Sequence, residues 1–155
     1  MPAENLHVTL AFLDGLPDAD AAVDALRAAA AECAPAEVRL GMLDGFPSSR
    51  RARVVWVSLA DPSGALQHAA VGIRGALQVR VGFSVDQPFV PHITIARIRR
   101  GVQPVEVPPV PVAPLPFTIS SVELFESVLR GGRPPRYVEL ASIPFSGGAR
   151  SARSS

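Results

Sequence analysis

The sequence predicts a mixed fold of strands and helices, set out as two related lobes about a cleft. Three observations predict it. A short pattern occurs twice, as His7-Val8-Thr9-Leu10-Ala11 and as His92-Ile93-Thr94-Ile95-Ala96. Each copy alternates polar and aliphatic residues, so on a strand His and Thr share one face and the aliphatic pair the other. Two stretches with helical periodicity, residues 19–34 and 65–77, lie between strand patterns. A run over residues 101–116 holds six prolines and separates the second motif from a final pair of strands. The expected order is β-α-β-β-α-β-β, a linker, then β-β. The motif strands hold related places in the two half-chains, a pseudo-two-fold arrangement.

Composition limits the alternatives. At 155 residues, 48% hydrophobic and 19% charged, the chain is long and apolar enough for one folded domain, here residues 1–146, and is not a disordered one. No apolar run reaches membrane-spanning length, and residues 1–6 lack the basic and apolar regions of a signal peptide. The single Cys33 excludes an intrachain disulfide and fits a small buried residue in a reducing, cytoplasmic setting. Net charge is only +1, so no overall basic field calls for nucleic acid. All 15 basic residues are Arg, a bias that Arg-rich codon usage accounts for.

The elements follow in order. Residues 6–12 read as a strand closed by Asp14-Gly15. Asp18 is an N-cap for the helix over 19–34, which Pro35 ends. Residues 38–43 read as a strand, and Asp44-Gly45-Phe46-Pro47 as a loop whose Arg50, Arg51 and Arg53 form a solvated turn, with a phosphate-facing rim as the lesser reading. The β-branched and aromatic run over 54–59 predicts a central strand covered on both faces. Asp61-Pro62-Ser63-Gly64 caps the second helix, on which His68 is a surface residue. Residues 83–89 lead through a loop to the second motif strand, 92–98. The prolines of 101–116 forbid a helix or a central strand and imply an extended connection along the surface. Residues 117–129 and 137–143 form the last strands around the loop 130–135. A polar, disordered tail over 147–155 completes the chain.

Two of the chain's three histidines stand in the repeated motif. Two imidazoles across a cleft can act as general acid and general base, since the ring titrates near neutral pH. Thr9 and Thr94, on the same faces, can donate hydrogen bonds to phosphate oxygens. A zinc or iron site wants further carboxylate or Cys ligands at regular spacing. Neither motif carries them, so no metal is expected. Arg97 falls on the opposite face of a regular strand; a bulge would redirect it.

The sequence resembles the two-histidine phosphoesterases, in particular the bacterial RNA 2′,3′-cyclic phosphodiesterase branch, also called the 2′-5′ RNA ligase family. The resemblance rests on Glu4-Asn5-Leu6-His7-Val8-Thr9-Leu10-Ala11-Phe12 and Pro91-His92-Ile93-Thr94-Ile95-Ala96-Arg97. Gly45-Phe46-Pro47, Val54-Val55-Trp56-Val57 and Val122-Glu123-Leu124-Phe125-Glu126-Ser127 add weaker support. It implies an α+β, bilobal fold of two antiparallel sheets with outer helices and the active site in the cleft between the lobes. It implies hydrolysis of RNA 2′,3′-cyclic phosphate ends to 2′-phosphomonoesters, with His7 as proton donor, His92 as proton acceptor, and Thr9, Thr94 and Arg97 as phosphate contacts. It implies no cofactor and no metal. RNA ends or cyclic nucleotides are the expected partners, with no membrane and no protein partner. Alternatives are a related enzyme acting on small cyclic phosphates or 2′-5′ linkages, including reversible ligation, and a non-catalytic RNA-end binder.

The chain departs from the family twice. Relatives carry a strand and a helix ahead of the first motif, whereas this chain starts six residues before His7. A misassigned start or a natural truncation is expected, the latter exposing a sheet edge that favours aggregation or dimerisation. The proline-rich 101–116 segment replaces a more helical connection.

Overall fold

The computed structural model describes residues 6–15, 18–84, 86–128 and 136–150. They form two compact units. The first comprises Met1–Phe12, Ala36–Gln67 and Pro88–Thr118; the second comprises Leu13–Pro35, His68–Gln87 and Ile119–Ser155. The α+β class with two antiparallel sheets and two helices is as the sequence predicts.

The first unit is built on a sheet in the order β3-β2-β1-β4, with β1 Ala36–Phe46, β2 Val54–Ala60, β3 His92–Arg97 and β4 Val110–Pro111. A further strand, β5 Pro116–Ile119, also pairs with β1. One face of this sheet is apolar, with Val38, Val57 and Leu59 buried. The strand β1 runs on to Phe46, through residues that the sequence reads as a loop. Asp44-Gly45 looks like a turn signal, but Gly45 serves close packing. A Cβ there would crowd Ala52 and Val107, so a side chain is excluded and the strand continues. The Asp44 carboxylate instead accepts from the Gly45 N–H at 2.6 Å.

The proline-rich segment lies along this sheet, extended as expected. Its prolines lack N–H groups, but the interleaved residues donate. Val107 N–H donates to Ser49 O at 2.7 Å, Val112 N–H to Gly41 O at 2.8 Å, and Ala52 pairs with Val105 in an antiparallel bridge.

The second unit pairs β6 Ser121–Val128 with β7 Arg136–Pro144 in a two-stranded antiparallel sheet, and α1 Ala19–Ala30 packs on both strands. Ala22, Ala25, Leu26, Ala30, Val122, Leu124 and Ile143 are its buried apolar residues. The strand expected over 117–129 is two strands, because the chain leaves β1 after Ile119 and joins β7 from Ser121. The loop expected over 130–135 lies outside the described residues.

Asp18 caps α1 as predicted, accepting from Ala21 N–H at 2.9 Å. The helix stops at Ala30, earlier than expected. Tight turn bonds over 29–33 replace the helical ladder, and Pro35 biases Ala34 away from helix. The turn is then covered by the end of the chain: Ser146 N–H donates to Ala30 O at 3.2 Å and Gly147 N–H to Cys33 O at 2.8 Å. These bonds satisfy carbonyls that a helix end leaves orphaned. They also correct the expectation of a disordered tail for its first residues, since Gly147–Arg150 form a 3-10 turn.

The second helix, α2 Ala65–Val81, outlasts the expected 65–77. It stops at Gly82, whose φ of +70° is the left-handed geometry that glycine adopts freely. Leu66, Ala69, Ala70, Ile73 and Leu77 are buried at helical spacing, and His68 is exposed, as expected. Residues 83–89 contain no strand among the described residues. Arg74 ties them instead, donating to Gln87 O at 2.5 Å with its guanidinium 5.9 Å from the Phe83 ring centroid. Side-chain anchoring holds this connection to the second motif. No described helix is long and apolar enough to cross a membrane.

Candidate active site

The second motif is β3 itself. It pairs antiparallel with β2, in the register Ser58↔His92, Val57↔Ile93 and Trp56↔Thr94. Residues directly opposite in such a pair share a face. Val57 is buried, so Ile93 goes with it to the apolar side. His92 and Thr94 stand on the other side with Ser58 and Trp56. The strand β2 is therefore half-exposed on one face, not covered on both as the sequence suggests.

Beyond Thr94 the register slips. Val55 pairs with Ala96 and Val54 with Arg97, which leaves Ile95 as the extra residue of a β-bulge. The bulge changes the parity of everything after it. Val54 and Trp56 share a face because β2 is regular there, and Arg97 shares it with Val54. Arg97 therefore joins His92 and Thr94 on one face, the redirection that a bulge was expected to bring.

The first motif lies against the outer edge of β3. Val8 forms an antiparallel bridge with Ile93. That single bridge sets the register: His7 lies beside Thr94, and Thr9 beside His92. Residues 6–12 do not make the continuous strand that the alternation predicts. The pairing is stopped on both sides. The position facing Leu10 is Pro91, which has no N–H to give, and the position facing Leu6 is the bulged Ile95. All five residues expected in the site, His7, Thr9, His92, Thr94 and Arg97, belong to the first unit.

The His92 imidazole is held on two sides. The His92 Nδ1 lies 2.7 Å from Val90 O. A carbonyl can only accept, so Nδ1 carries the proton and the lone pair of the neutral ring sits on Nε2. Trp56 meets the His92 ring edge to face, with centroids 5.1 Å apart and planes at 89°. This pair of contacts fixes both the tautomer and the plane of His92. His7 is exposed.

Trp56 is a contributor that the sequence reading missed. Read as part of a covered strand, it looked like core. The signal was present in Trp56 and Ser58 alternating with Val57 and Leu59. Its indole Nε1 is buried and has no hydrogen-bond partner among the described residues. Ser58 accepts from Met42 N–H at 2.8 Å, which locks the side chain opposite His92. Arg50, Arg51, Arg53, Arg99 and Arg100 lie around the ends of β2 and β3. Arg53 donates to Val102 O at 2.6 Å, and none of these arginines forms an ion pair with another described residue. Among the described residues no three His, Cys, Asp or Glu side chains come together as a metal site would need.

The family model of the 2′-5′ RNA ligase superfamily matches residues 1–129, and the chain belongs to that superfamily. Among individual relatives, it is 32% identical over 150 residues to a Geobacillus stearothermophilus protein named RNA 2′,3′-cyclic phosphodiesterase, covering 93% of this chain and 46% of the relative. It is 30% identical over 142 residues to an Escherichia coli protein of the same name, covering 89% of this chain and 74% of the relative. The chain thus spans about half the length of the first of these relatives. The fold matches a crystal structure of a Thermus thermophilus protein with a TM-score of 0.78 at 30% identity, covering 95% of this chain and 81% of that one. It matches E. coli LigT complexed with 3′-AMP with a TM-score of 0.70 at 29% identity, covering 94% and 79%.

Proposed function

We propose that the chain hydrolyses RNA 2′,3′-cyclic phosphate ends to 2′-phosphomonoesters by metal-independent acid–base catalysis. His92 is the base. Its Nδ1–H is engaged by Val90 O, so Nε2 faces the reaction and takes a proton from water as the water attacks phosphorus. His7, protonated, gives its proton to the departing 3′ oxygen. The P–O3′ bond breaks, the new P–O bond forms, and the 2′ ester stays. Thr9, Thr94 and Arg97 hold the non-bridging oxygens, where negative charge grows in the transition state. The observation that carries this reading is the Val8–Ile93 bridge, which sets the two motifs side by side on one sheet edge. The names of the relatives support the substrate, an RNA end, and the structure of LigT with 3′-AMP supports nucleotide binding by the fold.

The test is hydrolysis of nucleoside 2′,3′-cyclic phosphate and of a cyclic-ended oligonucleotide, with EDTA present. Each general acid or base contributes about 10²–10⁴-fold, so His7→Ala and His92→Ala should each lower kcat by that much. Activity lost to EDTA, or undiminished in both variants, would overturn the proposal. The same histidines serve when an RNA 5′-hydroxyl takes the place of water: His92 takes its proton as it attacks phosphorus, and the P–O3′ bond again breaks with His7 protonating the 3′ oxygen. A 2′-5′ ligation is therefore the second reading, favoured by the superfamily match; joining of cyclic-ended and 5′-hydroxyl RNA would reveal it.

A further inference from the structure

The motif face carries an aromatic side chain that the acid–base reading leaves idle. Phe46 ends β1, opposite Val54, which is in turn opposite Arg97. The three residues form one row across three strands, on the face that holds His92, Thr94 and Trp56. Adjacent strands lie about 4.8 Å apart, so the Phe46 backbone is roughly 10 Å from that of Arg97. That is the reach of a nucleoside whose ribose phosphate sits at Arg97. Phe46 is 62% exposed, although it belongs to a sheet whose other face is buried core. Trp56, in the neighbouring row, is already engaged edge to face by His92. Asp44, opposite Trp56, has its carboxylate turned onto the Gly45 N–H. Phe46 therefore presents an open ring beside the phosphate contacts, with the half-buried Val54 between them.

We propose that Phe46 is the platform on which the nucleobase of the reacting end stacks, so that the site selects a nucleoside 2′,3′-cyclic phosphate over a cyclic phosphodiester without a base. The proposal rests on the cyclic phosphodiesterase reading and adds the base as a recognised part of the substrate. Stacking on an aromatic side chain tolerates every base, since each has a π-face. The platform therefore confers preference for a base without preference among bases.

The test compares kcat/KM for adenosine 2′,3′-cyclic phosphate with that for 1-O-methylribose 2,3-cyclic phosphate, which has no base. Stacking of this kind corresponds to about 10–100-fold. The wild type should favour the adenosine substrate by that ratio, mostly through KM. In Phe46→Ala the ratio should collapse towards one, and in Phe46→Trp it should be kept or raised. An unchanged ratio in Phe46→Ala would overturn the proposal, as would a collapse seen in Phe12→Ala instead. Phe12 is the exposed rival, five residues after His7, on a segment whose face the ladder does not fix. Binding of adenosine 2′-monophosphate and of 1-O-methylribose 2-phosphate by equilibrium dialysis repeats the comparison without turnover. A chain that hydrolyses neither substrate, yet prefers the nucleotide through Phe46, would sink the catalytic reading and keep the platform. Equal binding of both ligands would sink the platform.

Discussion

The two copies of the motif differ by little in sequence and by much in structure. The second is a paired strand, hydrogen-bonded along β2, with a histidine held by Val90 O and Trp56. The first meets β3 in a bridge at Val8, outside any named strand, and its His7 is exposed. Near-identical local propensity thus yields a continuous strand in one place and an isolated bridge in another. What differs is the partner. His92-Ile93-Thr94 meets the uninterrupted edge of β2, whereas His7-Val8-Thr9 meets an edge limited by Pro91 and the Ile95 bulge. The contrast suits the proposed roles. A base must hold a lone pair in one direction, and the backbone carbonyl on its Nδ1 provides that.

The sharpest way to break the comparison is the pH profile. The wild type should give a bell-shaped kcat/KM. His92→Ala should lose most of the rate, about 10²–10⁴-fold, together with the acidic limb, because that limb reports a base that must be unprotonated. His7→Ala should lose the alkaline limb instead. Loss of the same limb in both variants would erase the assigned difference between the copies. Next in size is Arg97→Ala, expected to cost about 10²–10³-fold in kcat, like removal of one donor to a developing oxyanion. Arg97→Lys should recover only part, since an ammonium lacks the fork of a guanidinium. Steady-state kinetics on the cyclic nucleotide decides both.

A smaller effect reaches the second copy alone. A Cβ on Gly41 would come within 2.6 Å of Ser58 Oγ, across from His92. Gly41→Ala should destabilise the protein by about 1–3 kcal/mol, as overpacking does, read as a lower urea midpoint. The smallest effect belongs to the other unit and serves as the contrast. Burial, followed by the charge of Glu32, raises the Cys33 thiol above its ordinary value of 9.0. A raised value means that the native state holds this proton more tightly than the unfolded chain. Its contribution to stability is full below pH 9.0 and fades as pH climbs through the higher native value. The urea midpoint of the wild type should therefore fall more steeply above that pH than the midpoint of Cys33→Ala.

Much of this was legible in the residues. Alternation placed His92 with Thr94, Asp18 announced α1, and prolines between valines announced an extended connection. The misreadings share one cause: a local signal has two physical meanings that only the tertiary neighbour separates. Asp44-Gly45 can turn a chain or let Ala52 and Val107 approach it. The alternation of residues 117–129 was sound, but nothing in Ser120 says that the strand changes partners there. Trp56 looked like core because one side of β2 is core. The His92 tautomer rests on the carbonyl of Val90, a backbone atom that no side-chain pattern reports.

The Ile95 bulge carries a lesson for recognising such sites from a string of letters. His92, Thr94 and Arg97 stand at offsets of zero, two and five, so a search for even spacing discards the arginine. In the sheet the same three residues occupy consecutive rungs of one side, facing Ser58, Trp56 and Val54 in turn. The inserted residue acts as a phase shifter: it costs one letter in the sequence and none in the geometry. A shorter relative with Arg four places after its histidine, on an unbulged strand, would present the same face.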